Sequence, residues 1–239
     1  MVVWLFAGGG ESEVNGLIPH FLEKHFSDCQ FERKTPIYKK PAGKRKPGVS
    51  YGYGKTGKSL AVQIKERLKT ALDNEAACDL ILVIDDLDCR DKDKQTQTFL
   101  EAIDTVAGAK AIKRLIGFAA PELEAWLIAD WDNTVAKHVD FRGCHQAMRW
   151  WLSHEKSIPF DAPESFSKYD FNRDCCFDKL SEAVIASTEQ NECKAIFSKG
   201  EHTPLLLGQI NLDKIGKKCP IFNELYKGLS SHCGSVLPN

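Results

Sequence analysis

The residues of this chain best placed to do chemistry are Asp85, Asp86 and Asp88, which follow at once on the unbroken aliphatic run Leu80-Ile81-Leu82-Val83-Ile84. Carboxylates packed this closely repel one another, and a bound cation relieves the repulsion. Oxygen donors of this hardness favour Mg²⁺ or Mn²⁺ over zinc. A solvated acidic turn is the plainer interpretation of the same residues. Two further pairs of acids could join them. Glu11 and Glu13 lie in Gly8-Gly9-Gly10-Glu11-Ser12-Glu13, and Glu122 and Glu124 lie in Pro121-Glu-Leu-Glu-Ala-Trp-Leu-Ile-Ala-Asp130. Glu124 has Leu127, Ile128 and Trp131 at i+3, i+4 and i+7, which puts its carboxylate on the apolar side of a helix. Such a group is costly unless paired or metal-bound, and this favours Glu124 over Glu122. Acids complementing a helix dipole are the alternative.

A second kind of chemistry lies between Arg33 and Lys65, where ten basic residues occur without one acid. Lys39, Lys40, Lys44, Arg45, Lys46, Lys55 and Lys58 are interleaved with Tyr38, Tyr51 and Tyr53 among several Gly and Pro. The stretch 33–58 therefore reads as a basic loop suited to nucleic-acid phosphates, with stacking platforms. It also contains a P-loop pattern, Gly52-Tyr-Gly-Lys-Thr-Gly57-Lys58-Ser59. A P-loop needs a buried strand directly before its first glycine, and Lys44-Arg-Lys-Pro-Gly-Val-Ser-Tyr51 offers none. Asp85-Asp86 after a hydrophobic strand could still pass for the acidic partner of such a loop, so a P-loop nucleotide hydrolase stays as an alternative.

These groups need a scaffold, and the apolar pattern supplies one. Val2–Ala7, Cys29–Tyr38, Leu80–Ile84 and Lys110–Ala119 read as strands. Uninterrupted aliphatic runs suit a parallel sheet covered on both faces, whose ligands bind at the carboxyl ends of the strands. Helices are expected from Ser12 through Phe26, from Ser59 along Leu60, Ile64, Leu68 and Leu72, over Phe99–Val106, and from Pro121 at a first helical position. Asp91–Lys94 reads as a turn. The remainder, 135–239, reads as mainly helical, with apolar stripes at Ala147, Met148, Trp151 and Leu152, at Phe177, Leu180, Val184 and Ile185, and at Phe222, Leu225, Tyr226 and Leu229. The expected architecture is an α/β sheet domain over residues 1–134 with a helical portion over 135–239.

The formal net charge of −1 over 239 residues gives no global electrostatic signal. No apolar run approaches the roughly twenty residues of a membrane span. Met1-Val-Val-Trp-Leu-Phe lacks the basic flank and cleavage site of a signal peptide. The expectation is a cytoplasmic protein without a membrane partner. The nine cysteines contain no C-x-x-C pair, so most are expected to be buried reduced thiols, with neither a zinc knuckle nor a disulfide framework indicated. A metal cluster drawn from Cys175, Cys176, Cys193, His202, Cys219, His232 and Cys233 is disfavoured by the lack of ligand spacing.

The order of these motifs resembles a known family. A glycine-rich acidic turn, a hydrophobic strand ending in Asp86-x-Asp88, and Glu124-Ala-Trp-Leu-Ile-Ala-Asp130 look like the Toprim (topoisomerase–primase) fold. More closely, they resemble a Toprim-like family of bacterial proteins related to nucleases of the overcoming-lysogenisation-defect type, often associated with ATPases in phage defence. Pro204-Leu-Leu-Leu-Gly-Gln-Ile-Asn-Leu-Asp-Lys-Ile and Cys219-Pro-Ile-Phe222 are similar to that family's closing segment. The resemblance implies a Toprim-like, mainly parallel sheet flanked by helices. It further implies a metal-dependent nuclease acting on DNA or RNA and an ATPase partner protein; the sequence leaves an oligomer open. It makes Asp86 and Asp88 the paired metal ligands, Asp85 an adjacent one and Glu124 the late acid, and it sets Lys199 beside a phosphate. Relatives carry Glu-Gly-x-Thr-Glu after the first strand, whereas Gly9 stands here at that first glutamate. Glu11 or Glu13 is left to replace it, and a non-catalytic binding subunit with an incomplete metal site is the other alternative.

Overall fold

The computed structural model of the protein describes residues 1–8, 16–36, 56–74 and 77–234. Glu11, Glu13, Lys39, Lys40, Lys44, Arg45, Lys46 and Lys55, with the expected cap Ser12, lie outside the described residues. The chain is an α/β fold. Its first strand, β1 (Val2–Ala7), is followed by a π-helical turn, Leu17–Leu22, that runs into the short α1 (Glu23–His25). β2 (Gln30–Thr35) is shorter than its apolar flanks suggest. α2 (Gly57–Asp73) buries Leu60, Ile64 and Leu68 as their spacing predicts. β3 (Leu80–Asp86) carries the acidic pair as its last two residues.

Between β3 and β4 (Lys113–Ala119) lies α3 (Lys92–Asp104). It starts where the sequence suggests a turn, because the Asp91 carboxylate accepts the Lys94 N–H at 2.9 Å and caps it. α4 (Glu124–Ala129) begins three residues after Pro121 rather than at it. The Pro121 carbonyl instead accepts the Asp88 N–H at 2.8 Å, which commits that segment to the turn after β3. The rest comprises α5 (His145–His154), a small antiparallel pair β5 (Tyr169–Asp170) and β6 (Cys175–Cys176), α6 (Leu180–Gln190), α7 (Lys199–Leu207), α8 (Leu212–Lys218) and α9 (Pro220–Cys233).

The main sheet is four-stranded and parallel, in the order β2-β1-β3-β4. Strand alternation divides its apolar residues between two cores. Trp4, Phe6, Ile81 and Val83 meet Leu60, Ile64, Leu68, Phe99 and Ile103 of α2 and α3 on one face. Val3, Leu5, Leu80, Leu82 and Ile84 meet Phe21, Trp126, Phe222 and the C-terminal helices on the other. This larger core draws on both 1–134 and 135–239. Gly117 of β4 lies so close under Leu225, and Gly228 under Leu115, that a Cβ at either glycine would collide with its leucine, so α9 rests directly on β4.

Two expectations are corrected. Phe177, placed in an apolar stripe by its spacing, is 65% exposed because it precedes α6 instead of lying on it. The cysteines are not all reduced: Cys29–Cys233, Cys89–Cys176 and Cys144–Cys193 are disulfides. Their partners stand 204, 87 and 49 residues apart, so no local spacing could signal them. Among the described residues no helix is long and apolar enough to cross a membrane.

Candidate active site

Strand alternation sends the two acids at the end of β3 to opposite faces of the sheet. Asp85 turns toward α2 and is 3% exposed. Its Oδ2 accepts the Gly57 N–H at 2.8 Å, while its buried Oδ1 has no hydrogen-bond partner among the described residues. Burial, reinforced by the charge of Asp88, pushes its ionisation up to about 7 against the pull of the Gly57 hydrogen bond and the Arg90 guanidinium. Gly57 opens its helix at φ +54°, a conformation that favours glycine. Asp86 turns to the other face, is half-buried, and accepts the Leu123 N–H at 3.1 Å.

The turn after β3 runs through two consecutive left-handed residues, Asp88 at φ 49° and Cys89 at φ 60°. Such conformations cost on the order of 1–3 kcal/mol each and persist where the surroundings hold them. Here the Leu87 and Asp88 N–H groups donate to Ala119 O and Pro121 O, each at 2.8 Å, and Cys89 is tied to Cys176. Asp88 then pairs with Arg90 at 3.0 Å, and Arg90 reaches Asp174 at 3.4 Å. Burial raises the ionisation of Asp88, with Arg90 opposing the shift and Glu122 adding to it.

Glu122 and Glu124 stand on the far side of this turn. Glu122 accepts the Ser181 N–H at 2.9 Å and the Ser181 hydroxyl at 3.1 Å, close to the N-terminus of α6. Glu124 is fully buried, as its apolar flanks predict, and accepts the Thr203 hydroxyl at 3.3 Å. Lys199 joins the two glutamates, 3.4 Å from Glu124 and 3.9 Å from Glu122. The carboxylate that the sequence singles out as costly is thus paired with a lysine that the sequence set beside a phosphate.

The structure therefore gathers Asp85, Asp86, Asp88, Glu122, Glu124 and Lys199 around the carboxyl ends of β3 and β4, where an open parallel sheet binds ligands. Lys58 is exposed at the start of α2; the Tyr169 hydroxyl and Arg90 lower the ionisation of Asp174, and the charge of Lys58 adds the least to that shift. The strand-edge acids divide into an Asp88–Arg90 group and a Glu124–Lys199 group. Among the described residues the three potential ligands that approach within 4.8 Å of one another are instead His138, Asp140 and His202. Arg90, Ser181 and Thr203 escaped the sequence reading. Arg90 could have been found from its place two residues after Asp88, whereas Ser181 and Thr203 are joined to their glutamates only by tertiary packing.

A family defined by its sequence matches residues 8–230, which include all of these side chains. The chain belongs to the DUF4276 family. That family is described as a domain of unknown function, so the match extends the site to a family without assigning it an activity. No curated protein and no solved structure matches the chain. For this DUF4276 chain the site must be argued from its own chemistry.

Its donor set at β3 consists of oxygen atoms alone, and the buried Asp85 Oδ1 accepts no hydrogen bond from the described residues. An ionised carboxyl in that position calls for either a proton or a hard cation. Asp85 alone offers an open oxygen of this kind, since Asp86 turns to the opposite face of the sheet and Asp88 is paired with Arg90.

Proposed function

We propose that this chain hydrolyses phosphodiester bonds of DNA or RNA at the carboxyl edge of its sheet, as a Toprim-like nuclease dependent on Mg²⁺ or Mn²⁺. The observation that carries the reading is Asp85, a buried carboxyl with one oxygen unpartnered among the described residues, at the strand end that Asp86 and Asp88 follow in sequence. On the resemblance, Asp85, Asp86 and Asp88 would supply carboxylates to the cation, with Glu11 or Glu13 as a further ligand; because Asp86 leaves the opposite face of β3 and Asp88 is paired with Arg90, the turn after β3 must rearrange for them to share it. β1 supports this addition, since the Gly8 N–H donates to Ile84 O and the chain leaves the sheet beside Asp85. The bound cation would activate water and neutralise charge on the phosphate.

The protein's own cations have separate work. Lys199, held between Glu122 and Glu124, is aimed by that pairing and contacts a substrate phosphate. Arg90 exchanges Asp174 for phosphate. Asp174 also accepts the Tyr169 hydroxyl at 2.6 Å, and Tyr169 lines an open cleft together with Lys156, Lys168 and the exposed Phe177. Lysines interleaved with aromatic rings suit a nucleic-acid strand, whose phosphates and bases they would meet in turn. Lys39, Lys40, Lys44, Arg45, Lys46, Lys55 and Lys58 add electrostatic capture. On the resemblance described above, the proposal extends to a cytoplasmic effector of phage defence working with an ATPase partner.

A second reading, a nucleic-acid-binding subunit without catalysis, is favoured by one observation. Arg90 on Asp88 and Lys199 on Glu124 already supply positive charge at the acids. Cleavage assays on single- and double-stranded DNA and on RNA with millimolar Mn²⁺ separate the two. Asp86→Ala and Glu124→Ala should each lower cutting at least about a hundredfold, the scale of a lost electrostatic element. A wild-type protein that binds these substrates and leaves them intact supports the binding subunit.

A further inference from the structure

A different set of side chains has the makings of a second metal site. His138 follows a 3₁₀ turn at Val135–Lys137, Asp140 comes two residues later, and His202 projects from α7. One ligand atom from each lies within 4.8 Å of the others. Asp140 Oδ2 is 3.8 Å from His138 Nδ1 and 3.7 Å from His202 Nε2. These separations are too long for hydrogen bonds, so the carboxylate faces both rings across a gap. In a tetrahedral zinc site, bonds of about 2.0–2.1 Å place ligand atoms about 3.3 Å apart. The two Asp140–histidine edges need to close by only about half an ångström to match it.

The surroundings hold both rings in place. His202 is buried, stacks on Phe197 and packs against Phe141, which also contacts His138. Ser198 presents its N–H at 2.8 Å and its carbonyl at 3.2 Å to His202 Nδ1. The shorter contact has the Ser198 N–H donating to Nδ1, which puts the ring proton on Nε2 toward Asp140; a cation at Nε2 needs the other tautomer, in which Nδ1 carries the proton and donates to the Ser198 carbonyl. A metal-bound histidine is usually fixed by such a donation to a carbonyl or carboxylate. His138 accepts the Asp140 N–H at Nδ1 over 3.3 Å, a long contact that a metal bond would replace. Lys194 pairs with the outer oxygen, Asp140 Oδ1, at 3.1 Å and leaves Oδ2 to the histidines. The Cys144–Cys193 disulfide ties together the two segments that carry the ligands.

We propose that His138, Asp140 and His202 form a Zn²⁺ site, with water in the fourth position. Two imidazoles and one carboxylate suit zinc and are a poor match for Mg²⁺, which favours oxygen. The site does not depend on the nuclease reading. Its cation would fix α7, whose Lys199 and Thr203 reach Glu124 from the same helix.

The test is titration of the full-length protein with Zn²⁺, and with Co²⁺ as a visible reporter of tetrahedral nitrogen and oxygen ligation. Wild type should bind one equivalent at these residues and melt at a higher temperature with Zn²⁺ than with Mg²⁺. Asp140→Asn and His138→Gln should each weaken Zn²⁺ binding at least about tenfold and remove the Co²⁺ band, while Asp86→Ala keeps both. Lys194→Ala changes an exposed residue with little risk to folding. It should tighten Zn²⁺ binding about two- to fivefold by removing a competing cation. Unchanged affinity in Asp140→Asn or in Lys194→Ala, or no uptake of Co²⁺ by wild type, overturns the proposal.

Discussion

The carboxyl of Asp85 sits against the backbone N–H of Gly57 at 2.8 Å, so a strand-end acid closes the N-terminus of α2. This contact bears on two behaviours of the protein: how its stability responds to pH, and whether its P-loop-like sequence binds phosphate.

For pH, the folded protein holds the Asp85 proton up to about 7, against an ordinary value of 3.8. The folded-state value is raised, so the stabilisation it gives is fully present below about pH 4 and is lost as pH rises through 7. Asp88, shifted in the same direction, adds to the slope. At about 1.4 kcal/mol per unit the loss from Asp85 amounts to a few kcal/mol. Urea unfolding of the metal-free protein between pH 4 and 8 should show this decline. Asp85→Asn should flatten it and raise stability at pH 8 by about 1–3 kcal/mol, since burying an amide costs less than burying a charge. A slope that survives the substitution would assign the decline to other groups.

For phosphate, Asp85 already takes the Gly57 N–H that a phosphate cradle would use, and its carboxylate would repel an anion there. The isolated chain should therefore show no ATP binding that depends on Lys58. Lys58→Ala is expected to leave any ATP affinity unchanged by calorimetry. Micromolar binding that vanishes in the variant would favour the nucleotide-hydrolase alternative over the nuclease.

What could be read in the sequence follows the range of the forces involved. The buried strand Leu80–Ile84, the helix with Leu60, Ile64 and Leu68 on one side, and the pairing demanded by Glu124 are all local patterns, and the structure contains each of them. The acids at the carboxyl end of β3 were legible for the same reason. Partners brought together across the fold left no such trace. Arg90–Asp174 joins residues 84 positions apart, and Glu122–Ser181 joins residues 59 apart. The early end of α3 is hidden in the sequence because Asp91 is a residue type that forms turns as readily as it caps helices. The disulfides were missed because cysteine spacing reports only local pairing.

The basic stretch makes a prediction from sequence alone. If Lys39, Lys40, Lys44, Arg45 and Lys46 contact phosphates, nucleic-acid affinity should fall steeply with salt. Replacing all five with alanine should flatten the slope of log K against log salt by about three to five units, close to 0.7–0.9 per contact. Fluorescence anisotropy over a range of salt concentrations measures it. An unchanged slope would leave the stretch as solvated surface.

Cys89–Cys176 offers the last test, because it anchors the turn that carries Asp88. It closes a loop with a sequence separation of 87, and a link of that length stabilises a fold by about 3–5 kcal/mol through the unfolded chain. Cys89→Ser with Cys176→Ser should lower stability by about that amount in urea, and a dithiol reductant should do the same to wild type. The turn adds a local effect, since Cys89 and Asp88 hold left-handed conformations that their neighbours must maintain. Freed from β6, the turn should bring Asp88 and Arg90 together less often, and Mn²⁺-dependent cutting should fall further than the lost stability alone accounts for. Measuring cleavage well below the melting temperature of the double variant separates the two effects. Full activity there, with reduced stability, would make the disulfide a brace for the fold and not for the site.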